Sequence, residues 1–309
     1  MSDPIRVLGI WWEKLSELGL IPSDRIYLEV AFLLAQRLRL NLRNPQTFQE
    51  KIQWLKLYNR EERYSLLADK VLVKEFVASV LGSEYVIPTL GVWSNPEEID
   101  FDSLPEKFVI KCNHNSGKGM YICKDKTKIN KDVLKKRLKA GLTENYYIHN
   151  REWPYRDIKR KIIAEQFMED PDMPDGLTDY KFFCFNGEPL YCQVIRDRYT
   201  KETIDFYDMN WRHQEFYGLN PVARNGLNPV ARNGLNPVAR PPHLDKMVWM
   251  CRKLAEGIPF VRVDLYVING KEYFGELTFF PASGFGTFTP EKYNLLLGNL
   301  LQLPTPTTA

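Results

Sequence analysis

Two carboxylates near the C-terminal end are the first residues whose types and spacing suit chemistry. The stretch FVRVDLYVINGKEYFGELTFFP, Phe260 to Pro281, alternates apolar and polar residues on both sides of Asn269-Gly270, the pattern of two half-buried strands joined by a tight turn. Asp264 and Glu276 occupy polar positions, flanked by Arg262 and Thr278. Register decides whether the acids cooperate. A two-residue turn pairs residues whose numbers sum to an odd value and puts the two acids on opposite faces. A three-residue turn of Ile268, Asn269 and Gly270, with Gly270 left-handed, gives residues of like parity one face. Arg262, Asp264, Tyr266, Glu272, Phe274, Glu276 and Thr278 then line one side, and Val261, Val263, Leu265, Val267, Tyr273, Leu277 and Phe279 pack the core. This register separates polar from apolar more cleanly and is the one expected. Neighbouring carboxylates repel unless a cation lies between them, and an oxygen-only set without His or Cys suits magnesium or manganese. A cross-strand salt bridge from Arg262 to one or both acids accounts for the same residues, so the hairpin alone leaves both readings open.

A second constellation is FVIKCNHNSGKGMYI, where a strand holding Lys111 enters a loop with Gly117 and Gly119 and returns as a strand. Backbone amides of such a loop cradle phosphate, with Lys111 and Lys118 supplying charge. No GxxxxGK[ST] is present and no helix follows directly, so the P-loop fold is not indicated. His114 in the loop is expected at the surface. Between the two constellations IIAEQFMED is an apolar strand ending in acids, suited to lining a base pocket and catching ribose hydroxyls. Together the three segments describe a nucleotide site.

The elements that must position these residues come from 309 residues, 44% hydrophobic and 13% aromatic, enough for a full core and two domains or one large one. A net charge of +3 does not argue for nucleic acid. Sixteen Lys and Arg against five Asp and Glu from Lys107 to Lys161 mark a basic lobe, read chiefly as the solvated face of a helix that buries Ile129, Val133, Leu134, Leu138 and Leu142. The five cysteines form no CxxC pair, which points to buried free thiols and a reducing compartment. With no apolar run of membrane-spanning length and no cleavable leader pattern, a cytoplasmic protein is expected. Trp11 and Trp12 on the first helix are expected to pack on the core, a membrane or partner contact being the alternative.

Periodicity predicts helices near Val7 to Leu18, from Asp24 to Leu40 with Ser23 as cap, from Thr47 with Glu50 at capping-box spacing, and through DKVLVKEFVASVLG to Gly82. Strands follow in EYVIPTLGVW and around the Gly loop, then a lysine-rich helix, a hairpin turning at Asn186-Gly187 and a helix near Lys246 to Glu256. Before that last helix GLNPVAR recurs every eight residues from Gly218, Gly226 and Gly234, a duplicated surface loop of turns in which Arg224, Arg232 and Arg240 can reach an anionic substrate. The six terminal residues, PTPTTA, read as a tail.

Taken in order, NPQTFQEKIQWLKLY, DKVLVKEFV, FVIKCNHNSGKGM, REWPYRDIKRKIIAEQFMED, DYKFFCFNGEP and PFVRVDLYVINGKEYFGELTFFPASGF resemble the TupA-like ATP-grasp family of teichuronopeptide and polysaccharide biosynthesis. The resemblance spans about Arg43 to Gly298 and implies an α+β ATP-grasp fold of two lobes clasping ATP. It divides the chain into an N-terminal helical region 1–84, a small lobe 85–164, a large lobe 165–303 and a tail 304–309. The implied activity is a magnesium-dependent carboxylate–amine ligase: ATP phosphorylates a carboxylate, and an amine displaces phosphate to give an amide. A uronic acid of a surface polysaccharide or its precursor is the expected acceptor, and a glycosyltransferase with a metal motif at Asp170 to Asp172 is the alternative.

Residue by residue, the resemblance places Lys70 on the α-phosphate, Lys111 on the α- and β-phosphates, and Asn115, Ser116, Gly117, Lys118 and Gly119 over them. Glu165 takes the adenine amine, Gln166, Phe167 and Met168 present backbone to the ring, Glu169 or Asp170 takes the ribose, and Lys181 joins the nucleotide contacts. Arg262 stabilises the transferring phosphoryl. Asp264 and Glu276 are the implied magnesium ligands, with Thr278 standing where the superfamily usually has Asn, which puts a second metal in doubt.

Overall fold

A computed structural model describes residues 4–174, 176–196, 202–219 and 237–306. Five helices come first: α1 (Pro4–Glu17), α2 (Asp24–Gln36), α3 (Phe48–Tyr58), α4 (Arg63–Ala68) and α5 (Leu72–Leu81). Local capping sets several of their ends. The Ser23 side chain accepts from the Ile26 amide to start α2, and Thr47 and Glu50 complete a reciprocal capping box on α3. Gly82, at φ 115°, stops α5 where a side chain would be strained. Helix α2 ends four residues short of the expected Leu40, at a left-handed Arg37. Helix α4 was not anticipated, because six residues without a side-chain cap leave no periodic signal.

A four-stranded antiparallel sheet follows, with spatial order β1 (Thr89–Trp93), β4 (Ile162–Gln166), β2 (Phe108–Cys112), β3 (Tyr121–Cys123). Helix α6 (Lys131–Leu142) covers it, burying Leu134 and Leu138; Val133, expected in that stripe, is exposed. Five strands form a second antiparallel sheet in the order β10 (Lys271–Thr278), β9 (Phe260–Ile268), β5 (Asp179–Phe185), β6 (Glu188–Arg196), β7 (Thr203–Asp208). Helix α7 (Leu244–Leu254) packs one face through Met247, Cys251 and Leu254. A short pair, β8 (Tyr217–Gly218) with β11 (Phe288–Thr289), and helix α8 (Lys292–Leu300) close the chain. Helices α3 and α8 press together at Gly298, where a Cβ would lie 2.1 Å from the Gln46 carbonyl oxygen.

Hydrophobic packing separates into three clusters. The largest unites α3 to α5 with the five-stranded sheet, and at one end Phe48 meets Phe185, Phe260 and Phe288 edge to face. The second fills the space between the four-stranded sheet and α6. The third holds α1 and α2 through Tyr27, Leu28, Phe32 and Phe285. All five cysteines are free and buried, as their apolar setting implied. The repeated loop with Arg224 and Arg232 lies outside the described residues, and Arg240 is described, exposed and paired with Asp245 at 2.8 Å.

Inside the first cluster Lys56 is fully buried, donating to the carbonyls of Asn150 at 2.9 Å and Ser283 at 2.7 Å. Burial pushes its ammonium down to about 7, against a weaker upward pull from Glu152. Between about pH 7 and the unfolded lysine value, the unfolded chain binds more protons than the folded one, so stability rises with pH across that window. Wild-type protein is expected to gain melting temperature from neutral to alkaline pH relative to Lys56→Met; parallel melting curves over that range would refute the assignment.

Candidate active site

Backbone register builds the site. At the β9–β10 turn Asn269 (φ 50°) and Gly270 (φ 74°) are both left-handed, and Ile268 pairs with Lys271, so the loop has two residues rather than the expected three. The odd-sum register continues through Glu272↔Val267, Tyr273↔Tyr266 and Phe274↔Leu265. A bulge at Gly275 then inserts one residue, and the pairs become Glu276↔Asp264, Leu277↔Val263 and Thr278↔Arg262. The two acids therefore share a face, as expected, for a reason the patterning argument did not contain. Beyond the bulge, facing is reversed from that expectation. Glu272 and Phe274 join the face under α7 and are buried, whereas Tyr273 lies with Tyr266 on the opposite side. Glu272 tolerates burial because His243 Nδ1 bonds one carboxylate oxygen and Lys246 Nζ lies 2.7 Å from the other.

Strand β5 completes the row, since Lys181 pairs with Asp264 on its other flank and Gln193 of β6 pairs with Lys181. Gln193, Lys181, Asp264 and Glu276 thus stand abreast on one sheet face. Arg262 binds both Asp264 oxygens, through Nε at 2.6 Å and Nη2 at 2.7 Å. Its Nη2 also reaches Glu276 Oε1 at 3.2 Å and Thr278 Oγ1 at 3.0 Å. Lys181 Nζ bonds the second Asp264 oxygen. Asp264 is buried, while the Glu276 side chain is 47% exposed at the cleft. Burial tends to raise the Glu276 carboxyl, yet Lys181, Arg262, Lys70 and Lys111 around it hold it down at about 2. Burial acts to lower Arg262, and the carboxylates of Asp264 and Glu276 overcome that and keep it above its ordinary value.

Across the cleft stand the small sheet and the helical region. Lys111 on β2 bonds one Glu165 oxygen, and Lys74 on α5 bonds the other at 2.6 Å. Lys70 donates to the Asn115 carbonyl at 2.7 Å, joining the α4–α5 connection to the Gly loop. Burial lowers the ammonium pKa of both Lys70 and Lys74. The cleft encloses about 500 Å3 including its open mouth, and Lys70, Lys74, Lys111, Tyr155, Glu165 and Glu276 all line it. Three separate parts of the chain thus present cations and carboxylates to one space.

A model of the TupA-like ATPgrasp family matches residues 50–302. The chain belongs to that family. Its fold is the ATP-grasp fold, with an added N-terminal helical pair. Similar solved structures include D-alanine–D-alanine ligase from Helicobacter pylori, at 17% identity over 82% of this chain and 69% of that one, TM-score 0.43. The same enzyme from Bacillus anthracis, complexed with ATP, is 16% identical over 69% of this chain, TM-score 0.39; the chain spans about half of its length, 53%. The ATP-grasp ligase PsnB, complexed with minimal precursor, Mg and ADP, is 12% identical over 75% of this chain and 57% of that one, TM-score 0.39. No curated protein matches the sequence.

In this TupA-like ATP-grasp protein the remaining expected residues fall into two groups. Ser116, Gly117 and Lys118 are exposed at the tip of the loop, with Gly117 and Gly119 at φ 86° and 84°, the backbone freedom a phosphate loop needs. The Asn115 side chain turns away to Glu144 at 2.7 Å. His114 is buried rather than exposed: Nε2 contacts the Glu144 carbonyl at 3.1 Å, Nδ1 has no partner, and burial lowers its pKa. Gln166, Phe167 and Met168 follow β4 with Gln166 exposed, and the Gln166 amide donates to Pro88 at 3.0 Å. Glu169 is an exposed partner of Lys107 at 2.8 Å. Asp170 accepts from the amides of Asn269 at 2.7 Å and Asp172 at 3.0 Å, so it ties β4 to the hairpin turn and is not set as half of a paired metal motif. Sequence reading missed Lys74, four residues after Lys70 in DKVLVK, and Asp179, two before Lys181 and 3.7 Å from its ammonium. The four-residue spacing across the start of α5 and the i, i+2 spacing on β5 were the available signals.

Proposed function

We propose that this protein is an ATP- and magnesium-dependent carboxylate–amine ligase that forms an amide on a carboxylate acceptor, a uronic acid of a surface polysaccharide or its precursor. One observation carries the reading: Glu276, which stands abreast of Asp264 and Lys181 and is bonded by Arg262, lines the same cleft as Lys70, Lys111 and Glu165. Membership of the TupA-like ATPgrasp family supports it.

The residues fit magnesium. Asp264, Glu276 and Thr278 supply only oxygen donors; Glu276 is the one that lines the cleft, and Asp264, whose two oxygens bond Arg262 and Lys181 in this structure, would join it once those cations turn to phosphate. Two carboxylates plus substrate phosphate oxygens are what magnesium favours. Once bound, the metal neutralises phosphate charge. Lys70, Lys111 and the Gly117–Gly119 loop hold phosphates, and Asp264 and Glu276 fix the Arg262 guanidinium in place as the cation for the transferring group. An acceptor carboxylate oxygen bonds the γ-phosphorus as ADP leaves; the amine nitrogen then bonds the carbonyl carbon, phosphate departs, and the amine proton passes to solvent base. Phosphoryl transfer rests on positioning and charge, which this cluster supplies.

Incubation with ATP, magnesium, uronate-bearing saccharides and a panel of amines is expected to release ADP and phosphate and to add the amine mass to the acceptor. If no combination gives ADP, or if UDP is released from a UDP-sugar without ATP, the ligase reading fails.

A further inference from the structure

Three polar residues open the Gly loop, Asn113, His114 and Asn115, and all three are buried, whereas Ser116, Gly117 and Lys118 at its tip are exposed. Asn113, with no exposed surface, is the most completely engaged of them. Its Oδ1 accepts from the Lys161 amide at 2.7 Å, and its Nδ2 donates to the Lys159 carbonyl at 3.0 Å and to Asp69 Oδ1 at 2.9 Å. Its own amide donates to the Lys161 carbonyl at 3.0 Å, and its carbonyl accepts from the Lys70 amide at 3.2 Å. Asp69 is buried too, and the oxygen that meets Asn113 also accepts from the Val71 amide at 2.8 Å. One residue thus ties together three segments that are distant in sequence: the exit from β2, the entry to β4 and the connection from α4 to α5.

The rest of the loop root is held by the end of α6. His114 Nε2 lies 3.1 Å from the Glu144 carbonyl, and Asn115 Nδ2 donates to the Glu144 carboxylate at 2.7 Å. The chain returns over the last turn of that helix, where a Cβ on Gly119 would lie 3.2 Å from the Gly141 Cα. Both ends of the exposed tip are therefore anchored. Lys70 is set by the same joint, since it stands between Asp69 and Val71, and its ammonium donates to the Asn115 carbonyl at 2.7 Å. A buried amide with its hydrogen bonds filled rigidifies what it joins, and removing it leaves several buried groups unmatched. Neither Asn113 nor Asp69 lines the cleft, so both act through the residues they join. Resting on the nucleotide reading of the cleft given above, we propose that Asn113 and Asp69 are positioning residues: their bond holds Lys70 and the Gly loop in one frame, so that the lysine and the loop amides meet the same phosphates together.

The test is calorimetric titration of the full chain with magnesium and the non-hydrolysable ATP analogue AMPPNP, beside thermal melting. Asn113→Ala and Asp69→Ala are each expected to raise the Kd about tenfold, the scale of one lost hydrogen bond to a charged group. Asp69→Asn keeps an oxygen that can accept from Asn113 and Val71, and should stay within about twofold of wild type. Leu254→Ala, a buried position on α7, is the control for stability: it should lower the melting temperature and leave the Kd unchanged. Where Asn113→Ala does not fold, Asp69→Ala decides. A wild-type Kd in Asp69→Ala overturns the proposal. An equal rise in Leu254→Ala also overturns it, by tracing the loss to general loosening, and an equal rise in Asp69→Asn does so by tracing it to the lost charge. Failure of the wild-type chain to bind the analogue is a different result, which removes the nucleotide reading itself and this proposal with it.

Discussion

Asp264→Asn is expected to lower ATP turnover by about 10²- to 10³-fold, the usual loss when one electrostatic contact to a transferring phosphoryl is removed. The substitution preserves shape and removes only charge, yet its consequences extend past the metal. Both Asp264 oxygens are held, by Arg262 at 2.6 and 2.7 Å and by Lys181, in a buried setting. Neutralising the acid leaves two cations close together, with Glu276 3.2 Å from Arg262 and Asp179 3.7 Å from Lys181 as remaining acids. Breaking a buried pair in this way costs about 3–5 kcal/mol, because the surviving charge is desolvated without compensation. Chemical denaturation should report that loss, and ADP release should report the other. The double variant Asp264→Asn with Lys181→Met separates them: it should recover part of the stability and none of the turnover. Wild-type turnover in Asp264→Asn would refute both the metal role and the positioning of Arg262.

Gly275 is the second position where a large effect is expected. It is the extra residue of the bulge, and a Cβ there would lie 2.9 Å from the Tyr266 ring and 3.0 Å from the Asp264 carbonyl oxygen. Gly275→Val must either force those neighbours apart or straighten the strand. Straightening would place residue 275 opposite Asp264 and turn Glu276 towards α7, since one residue of slip reverses every side chain beyond it. Magnesium-assisted nucleotide binding, followed by calorimetry, is expected to be lost, and turnover to fall by about 10²-fold or more. Deleting Gly275 should be milder. It leaves Phe274 opposite Leu265 and brings Glu276 opposite Asp264 in regular register, with Leu277↔Val263 and Thr278↔Arg262 kept. If the deletion proves as damaging as the valine, the role assigned to the bulge is wrong.

The same bulge shows where reading a sequence stops. Alternation in FVRVDLYVINGKEYFGELTFFP announced the two strands and their turn, but a glycine inside a strand has the same appearance whether or not the chain bulges there. The expected three-residue turn put Asp264 and Glu276 on the correct shared face, although it would have set Glu276 opposite Arg262, and it misplaced Glu272, Tyr273 and Phe274, because it set the phase shift at the turn instead of five residues after it. Glu272 shows the cost of that error: nothing in KEYFGE marks it as buried, and only the arrival of His243 and Lys246 makes its position tolerable. Lys74 and His114 were obscured for a similar reason, since their partners Glu165 and Glu144 lie 91 and 30 residues away.

What the sequence settled by itself is whatever neighbours along the chain decide: the caps at Ser23 and Thr47, the stop at Gly82, the turn at Asn186-Gly187, the position though not the length of the turn at Asn269-Gly270, and the ordered segments that carry family membership. These depend on backbone hydrogen bonds and φ preferences within a few residues, which residue types fix directly. Tertiary structure alone decided that Glu276, beside Asp264, Lys181 and Arg262, meets Lys70, Lys111 and Glu165 in one cleft, and that Trp12 turns inward while Trp11 does not. Those outcomes depend on which strand edge pairs with which and on which helix face finds a partner. Such choices are made by apolar burial summed over the whole chain, and no local stretch of residues encodes that sum.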